Sequence, residues 1–228
     1  MTGLASLLLA DSRLPTGGHA HSGTVEAAVE RGLLLDADDL ALFLAGRLRG
    51  TGPVVAAAAA AGCLLIGSAA QQWNHWDAAV SARTPSAATR EASRMQGIAL
   101  LRTARRVWPS PALDTLTEVG RPHHPLVLGA VVAVAGDEAG VAASLALHHL
   151  LGGACAAAVR LLGLDPITVA GVQAGANRSA QHIAREASEV AREAVVQQDP
   201  RLLPSTSTPL PEVLAELHAR AEVTLFAS

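Results

Sequence analysis

Lysine is absent from this chain: all seventeen basic residues among its 228 are arginine. That absence removes a Walker lysine from any phosphate-binding loop, a Schiff-base lysine for pyridoxal phosphate and a lysine general base. Arginine still clamps carboxylates and phosphates, so anion recognition stays open. Tyrosine is absent as well, and only two Phe and three Trp occur in a chain that is half apolar. The core must therefore be built from Ala, Leu and Val, small side chains that suit closely packed helices. Cysteine is nearly missing too. Cys63 and Cys155 lie far apart in Ala-rich runs, which argues against a disulfide framework or a Cys-x-x-Cys site and fits buried thiols in a reducing cytoplasm. A net charge of −3 with scattered arginines gives no footprint for nucleic acid. At the N-terminus a basic n-region is missing, and Asp11 and Arg13 interrupt the first apolar stretch.

Two regions, 54–70 and 126–164, are strongly apolar. The first is mostly alanine, and the second carries Asp137, Glu138 and a His pair, so both read as buried helices rather than membrane spans.

What is present has helical rather than alternating spacing. Val25, Val29 and Leu33 fall four apart, with Ser22 or Thr24 available as a cap and Gly32 as a stop. Asp36 is an N-cap candidate for a helix striped by Leu40, Leu44 and Leu48, and "GTGP" at 50–53 breaks it. A third helix is expected over 53–68, and a fourth over 71–84 with Trp73 and Trp76 on one side. Ser86 or Thr84 starts the next, which carries Arg90, Arg94, Arg102, Arg105 and Arg106 as the most basic face of the chain. A solvated surface is the default reading of that face, and a docking face for an acidic partner is the alternative. Pro125 opens a long apolar helix that breaks and restarts between Gly136 and Gly140. Asp165 caps a helix from Pro166, in which Gly171 and Gly175 suggest a kink before a segment over 178–198. Residues 199–211, rich in Pro, Ser and Thr, read as a flexible linker to a short amphipathic C-terminal helix and tail over 212–228. The expectation is one all-α domain over 1–228, a compact multi-helix bundle of about nine to eleven helices.

No catalytic constellation emerges. In "LPTGGHAHSG" (14–23) the paired glycines precede a helix, yet neither G-x-G-x-x-G nor a Walker lysine accompanies them. His19 and His21 share one side of an extended segment, but no third ligand is fixed by spacing. His123 with His124 and His148 with His149 are adjacent pairs with no metallohydrolase spacing, and Ser22 lies in no nucleophile elbow. No catalytic residue, resident metal or cofactor is assigned. An interaction protein is favoured over the alternatives, a small helical metal-binding enzyme or a membrane protein.

Three segments carry a resemblance. "LLLADSRLPTGGHAHSGTVEAAVERGLL" (7–34), with Pro15, Gly17, Gly18, Ser22, Gly23 and Glu26, is similar to the opening of the UreF family of urease accessory proteins. "HHPLVLGAVVAVAG" (123–136) resembles that family's His-Pro-x-x-x-Gly segment through His124, Pro125 and Gly129, and "LHARAEVTLFAS" (217–228) resembles its closing segment. Ala219 and Ala227 stand where that tail usually has Glu and Arg, and His19 and Ala20 where an aromatic is frequent. The resemblance implies a non-enzymatic, cytoplasmic assembly factor for the nickel centre of urease. It also implies a homodimer that binds a UreD/UreH-type protein and recruits or regulates the GTPase UreG, the complex acting on apo-urease, with neither nucleic acid nor membrane as partner. On that footing Ser22, Glu26, Glu30, His218, Leu225 and Phe226 are the candidate partner-binding residues. Pro15, Gly17, Gly18, Gly23, His124, Pro125 and Gly129 are the structural motif.

Overall fold

The structure, a computed structural model, describes residues 3–11, 14–15 and 21–221. Gly17, Gly18, His19, Leu225 and Phe226 lie outside the described residues. Eleven α-helices follow one another among those described: α1 (Leu4–Ala10), α2 (Val25–Glu30), α3 (Ala37–Arg49), α4 (Thr51–Leu64), α5 (Ala70–Ala82), α6 (Ala87–Val107), α7 (Pro111–Thr115), α8 (His124–Val134), α9 (Ala139–Leu162), α10 (Pro166–Val196) and α11 (Pro209–His218). The all-α bundle expected from the helical spacing is the fold observed.

Its centre is α4, where every residue from Ala56 to Ala61 is fully buried. Alanine leaves so little between two helices that their backbones nearly touch. A Cβ added at Gly129 of α8 would overlap the Ala59 carbonyl, and one added at Gly62 of α4 would overlap the Leu126 carbonyl. Glycine on both sides of this crossing lets α8 lie directly on α4. Helices α9 and α10 cover the rest of α4, and α3 packs on α10. Helix α9 is long and apolar enough to cross a membrane by length and composition. Its Ala142, Ala143, Leu147, Ala154 and Ala158 are instead buried in the bundle core.

The caps follow the sequence closely. Asp36 Oδ1 accepts from the Asp38 and Asp39 amides at 2.9 and 3.0 Å. Ser86 Oγ accepts from the Thr89 amide at 3.1 Å, and Asp165 from the Thr168 amide at 2.8 Å. Helix α4 differs, starting at Thr51 and ending at Leu64 rather than running over 53–68. Helix α10 differs more, because one helix of 31 residues runs unbroken through Gly171 and Gly175, with no separate segment starting near 178. Each glycine costs about 1 kcal/mol of helix propensity. The C-terminal part offsets that cost by burying Ala180, Ala184, Ala187, Ala191 and Ala194, a stripe at spacings of four and three.

Residues 199–211 are held along their length in this structure. Arg83 donates to the carbonyls of Arg201, Leu203 and Pro204 at 2.9–3.2 Å. Thr206 Oγ1 donates to the Gly50 carbonyl at 2.7 Å and Thr208 Oγ1 to the Gly46 carbonyl at 3.1 Å. Through these contacts the segment delivers α11 to a groove between α2 and α6.

Candidate functional site

The opening motif and the C-terminal helix meet. At the start of α2 the backbone turns through two left-handed residues, Gly23 at φ 58° and Thr24 at φ 71°. The Gly23 carbonyl accepts from Arg47 Nη1 at 3.0 Å, and a Cβ on Gly23 would collide with that guanidinium. Glycine is therefore favoured at 23 by its left-handed conformation, and a Cβ there would also displace the Arg47 guanidinium from the Gly23 carbonyl. Thr24 sits at the N-cap position without a side-chain cap bond. The fully buried Ser22 takes part of that work, its Oγ accepting from the Glu26 amide at 3.4 Å.

Glu26 was expected to share an exposed face with Glu30. It is buried, and its carboxylate faces the buried His218 of α11, Oε2 to Nε2 at 3.5 Å. Only Glu30 of this pair reaches solvent, beside Arg31 at 3.6 Å. Ser22, Glu26 and His218, chosen separately from two ends of the chain, thus form one interior contact between α2 and α11.

Carboxylates hold the other side of α11. Glu212 accepts from the Ser86 amide at 2.9 Å, and Glu216 accepts from Ser86 Oγ at 2.6 Å and from the Ala88 amide at 3.0 Å. These bonds place two negative charges at the positive end of the 21-residue α6. The Ser86 and Ala88 bonds also hold the Glu216 carboxyl below its usual range. With Leu214, Ala215 and His218 turned inward, Leu210, Val213 and Leu217 are left exposed at spacings of three and four on the outer face of α11.

One histidine of each pair, His123 and His149, ties elements of the bundle together. The His123 amide donates to Asp77 Oδ1 at 2.8 Å, and its ring bridges Ser81 Oγ at 2.9 Å and Ser93 Oγ at 3.0 Å. Arg94 Nη2 closes the network on Asp77 Oδ2 and Ser81 Oγ, both at 2.9 Å. Burial pushes the His123 ring down to about 4 and the His124 ring down to about 3, so both imidazoles are neutral. His149 is likewise shifted downward by burial and meets the Leu9 carbonyl through Nε2 at 2.9 Å, tying α1 to α9. His21, Arg47, His124, His148 and His149 line a cavity of about 580 Å³ between these elements. Among the described residues no three His, Cys, Asp or Glu side chains are placed to share a metal ion. Burial also pushes the thiols of Cys63 and Cys155 up to about 11, which keeps them protonated. Asp77, and the pairing of Arg94 with it, were not legible in the sequence because the partners lie 46 and 17 residues apart along the chain.

A sequence model of the UreF family matches residues 34–177. The chain belongs to the UreF family. It is 43% identical over 233 residues to the urease accessory protein UreF of Mycobacterium sp. (strain JLS), with the whole of both chains covered. It is 44% identical over 234 residues to the protein of the same name from Mycolicibacterium vanbaalenii, and 41% over 229 residues to that of Mycobacterium marinum, each again over both full lengths. The matched family region begins after α2 and ends within α10. The full-length UreF relatives extend the likeness through the opening motif and α11, the two places where Glu26 and His218 sit.

Proposed function

We propose that this UreF-family chain is a non-enzymatic urease maturation factor. In this reading it works in the cytoplasm as a homodimer, binds a UreD/UreH-type accessory protein, and recruits or regulates the GTPase UreG for nickel delivery to apo-urease. The observation that carries the reading is identity above 40% over full length to relatives named as urease accessory proteins. The geometry supports a division of labour at the C-terminus. Ser22, Glu26 and His218 act on partner binding by fixing α11. Glu30 on α2, the outer face of α11 and the tail residues Leu225 and Phe226 make the contacts.

The test is co-purification of the tagged full chain with UreD/UreH and UreG from the same host, beside a chain lacking residues 222–228. That cut spares Glu212, Glu216 and His218, whose removal would disturb α6 and α2 as well as any docking surface. A complex formed by the full chain and lost on truncation, together with a light-scattering mass of twice the chain alone, is the expected result. A full chain that remains monomeric and binds neither protein overturns the reading.

A further inference from the structure

Sequence alone presents the arginines of α6 as one basic face, whereas the structure divides them into two groups. Arg90 donates to the carbonyls of Thr84 and Pro85, and Arg94 to Asp77, Ser81 and the Arg121 carbonyl. Both are consumed in holding α5, α6 and the approach to α8. About two to three turns further on, the arginines face outward. Arg105 pairs with the exposed Asp114 at 2.7 Å, while Arg102 and Arg106 make no hydrogen bond or ion pair among the described residues. The three guanidinium groups line an open groove of about 520 Å³, with Ile98, Leu101 and Pro109 among its walls and, among the described residues, Asp114 as its only acidic side chain. In a chain whose net charge is −3, this is a local concentration of positive charge opposed by one carboxylate.

We propose that this groove, between the C-terminal half of α6 and the α7 segment, is a docking site for an acidic polypeptide segment. Charge complementarity sets the sign of the occupant, since two uncommitted guanidinium groups on adjacent turns match carboxylates spaced along a peptide. The apolar walls set its class, because they accommodate an aliphatic side chain between those carboxylates. A polyphosphate backbone has no apolar group to set against such walls. Arg105 and Arg106 also sit in the last turn of α6, where a cation favours the helix dipole. Arg102 lies a turn earlier, outside that role. The proposal is independent of which urease component the chain binds elsewhere.

The experiment measures fluorescence anisotropy of a labelled helical peptide of Glu, Ala and Leu titrated with the intact full-length protein. Its Lys-for-Glu counterpart and a DNA duplex of similar length serve as comparison probes. Saturable binding of the Glu peptide that weakens with added salt is expected, with no binding of the Lys peptide. Arg102→Ala/Arg106→Ala should weaken it about tenfold while circular dichroism and Tm stay close to the parent. Arg185→Ala/Arg192→Ala removes the same charge from an exposed face of α10 and should leave binding intact. Equal loss in the two double variants, preference for DNA, or absence of peptide binding overturns the proposal.

Discussion

Single glycines in this molecule do opposite things, and the difference is measurable. Gly129→Ala drives a methyl group into the Ala59 carbonyl, backbone against backbone, where neither helix can give way. We expect a loss of about 3 kcal/mol or more in urea unfolding, at the upper end of overpacking costs. Gly175→Ala, inside α10 where an added Cβ meets nothing, should stabilise by about 0.5–1 kcal/mol through a less flexible unfolded chain and better helix propensity. Both changes add one methyl group, so equal effects would refute the packing account. The sequence marked Gly129 through its place after His124 and Pro125. It was silent on why, because the oxygen that forbids a side chain belongs to a residue 70 positions earlier. In the same way Ser22, Glu26 and His218 were visible as separate candidates, whereas their mutual contact depends on a fold that closes the two ends of the chain together.

At the scale of elements, α11 is fastened at one side by carboxylates on α6 and at the other by His218 on Glu26. Glu216→Ala should loosen the first fastening, leaving only the Glu212 bond to the Ser86 amide, without touching the second. Hydrogen exchange is then expected to rise at the amides of α11 and the first turn of α6, with α4 and α8 unchanged. A uniform rise across all helices would mean that Glu216 supports the whole fold instead. Glu26→Ala attacks the second fastening and should cost about 1–3 kcal/mol, the range for stranding a buried polar partner. Helix starts were legible wherever a short polar side chain stood before an apolar run, as at Asp36, Ser86 and Asp165. The unbroken course of α10 was not, since local glycine propensity is outweighed by alanines packed beyond Gly175. Nor did the proline-rich composition of 199–211 reveal that Arg83 and two threonines would gather its backbone.

For the molecule as a whole, the buried imidazoles set an acid limit. His123 titrates at about 4 and His124 at about 3 when folded, against an ordinary value of 6.5. For both the cause is chiefly burial. Arg94 and Arg90 then lower His123 further against the opposing pull of Asp77, and His149 and His21 lower His124. The unfolded chain therefore binds protons first, and stability is greatest above pH 6.5 and lost as the pH falls toward 4. Each ring contributes on the order of 3 kcal/mol to that loss. Tm measured from pH 7 down to 4 should fall steeply in the parent and less steeply in His124→Gln, whatever that variant's starting stability. Parallel slopes would remove these rings from the explanation. Fold class was readable from the helical spacing of apolar residues together with a composition of small side chains. Which arginines are spent was not, because Arg94 is claimed by a carboxylate on another helix and Arg102 by no group among the described residues. The placement of the three tryptophans has a spectroscopic consequence. With tyrosine absent, near-ultraviolet emission comes from Trp73 and Trp76, sealed in α5, and from Trp108, half-buried at the end of α6 beside Pro109. Replacing the α5 pair by phenylalanine would leave a single native chromophore, adjacent in sequence to Pro109 of the arginine groove, as a reporter of events there that needs no dye.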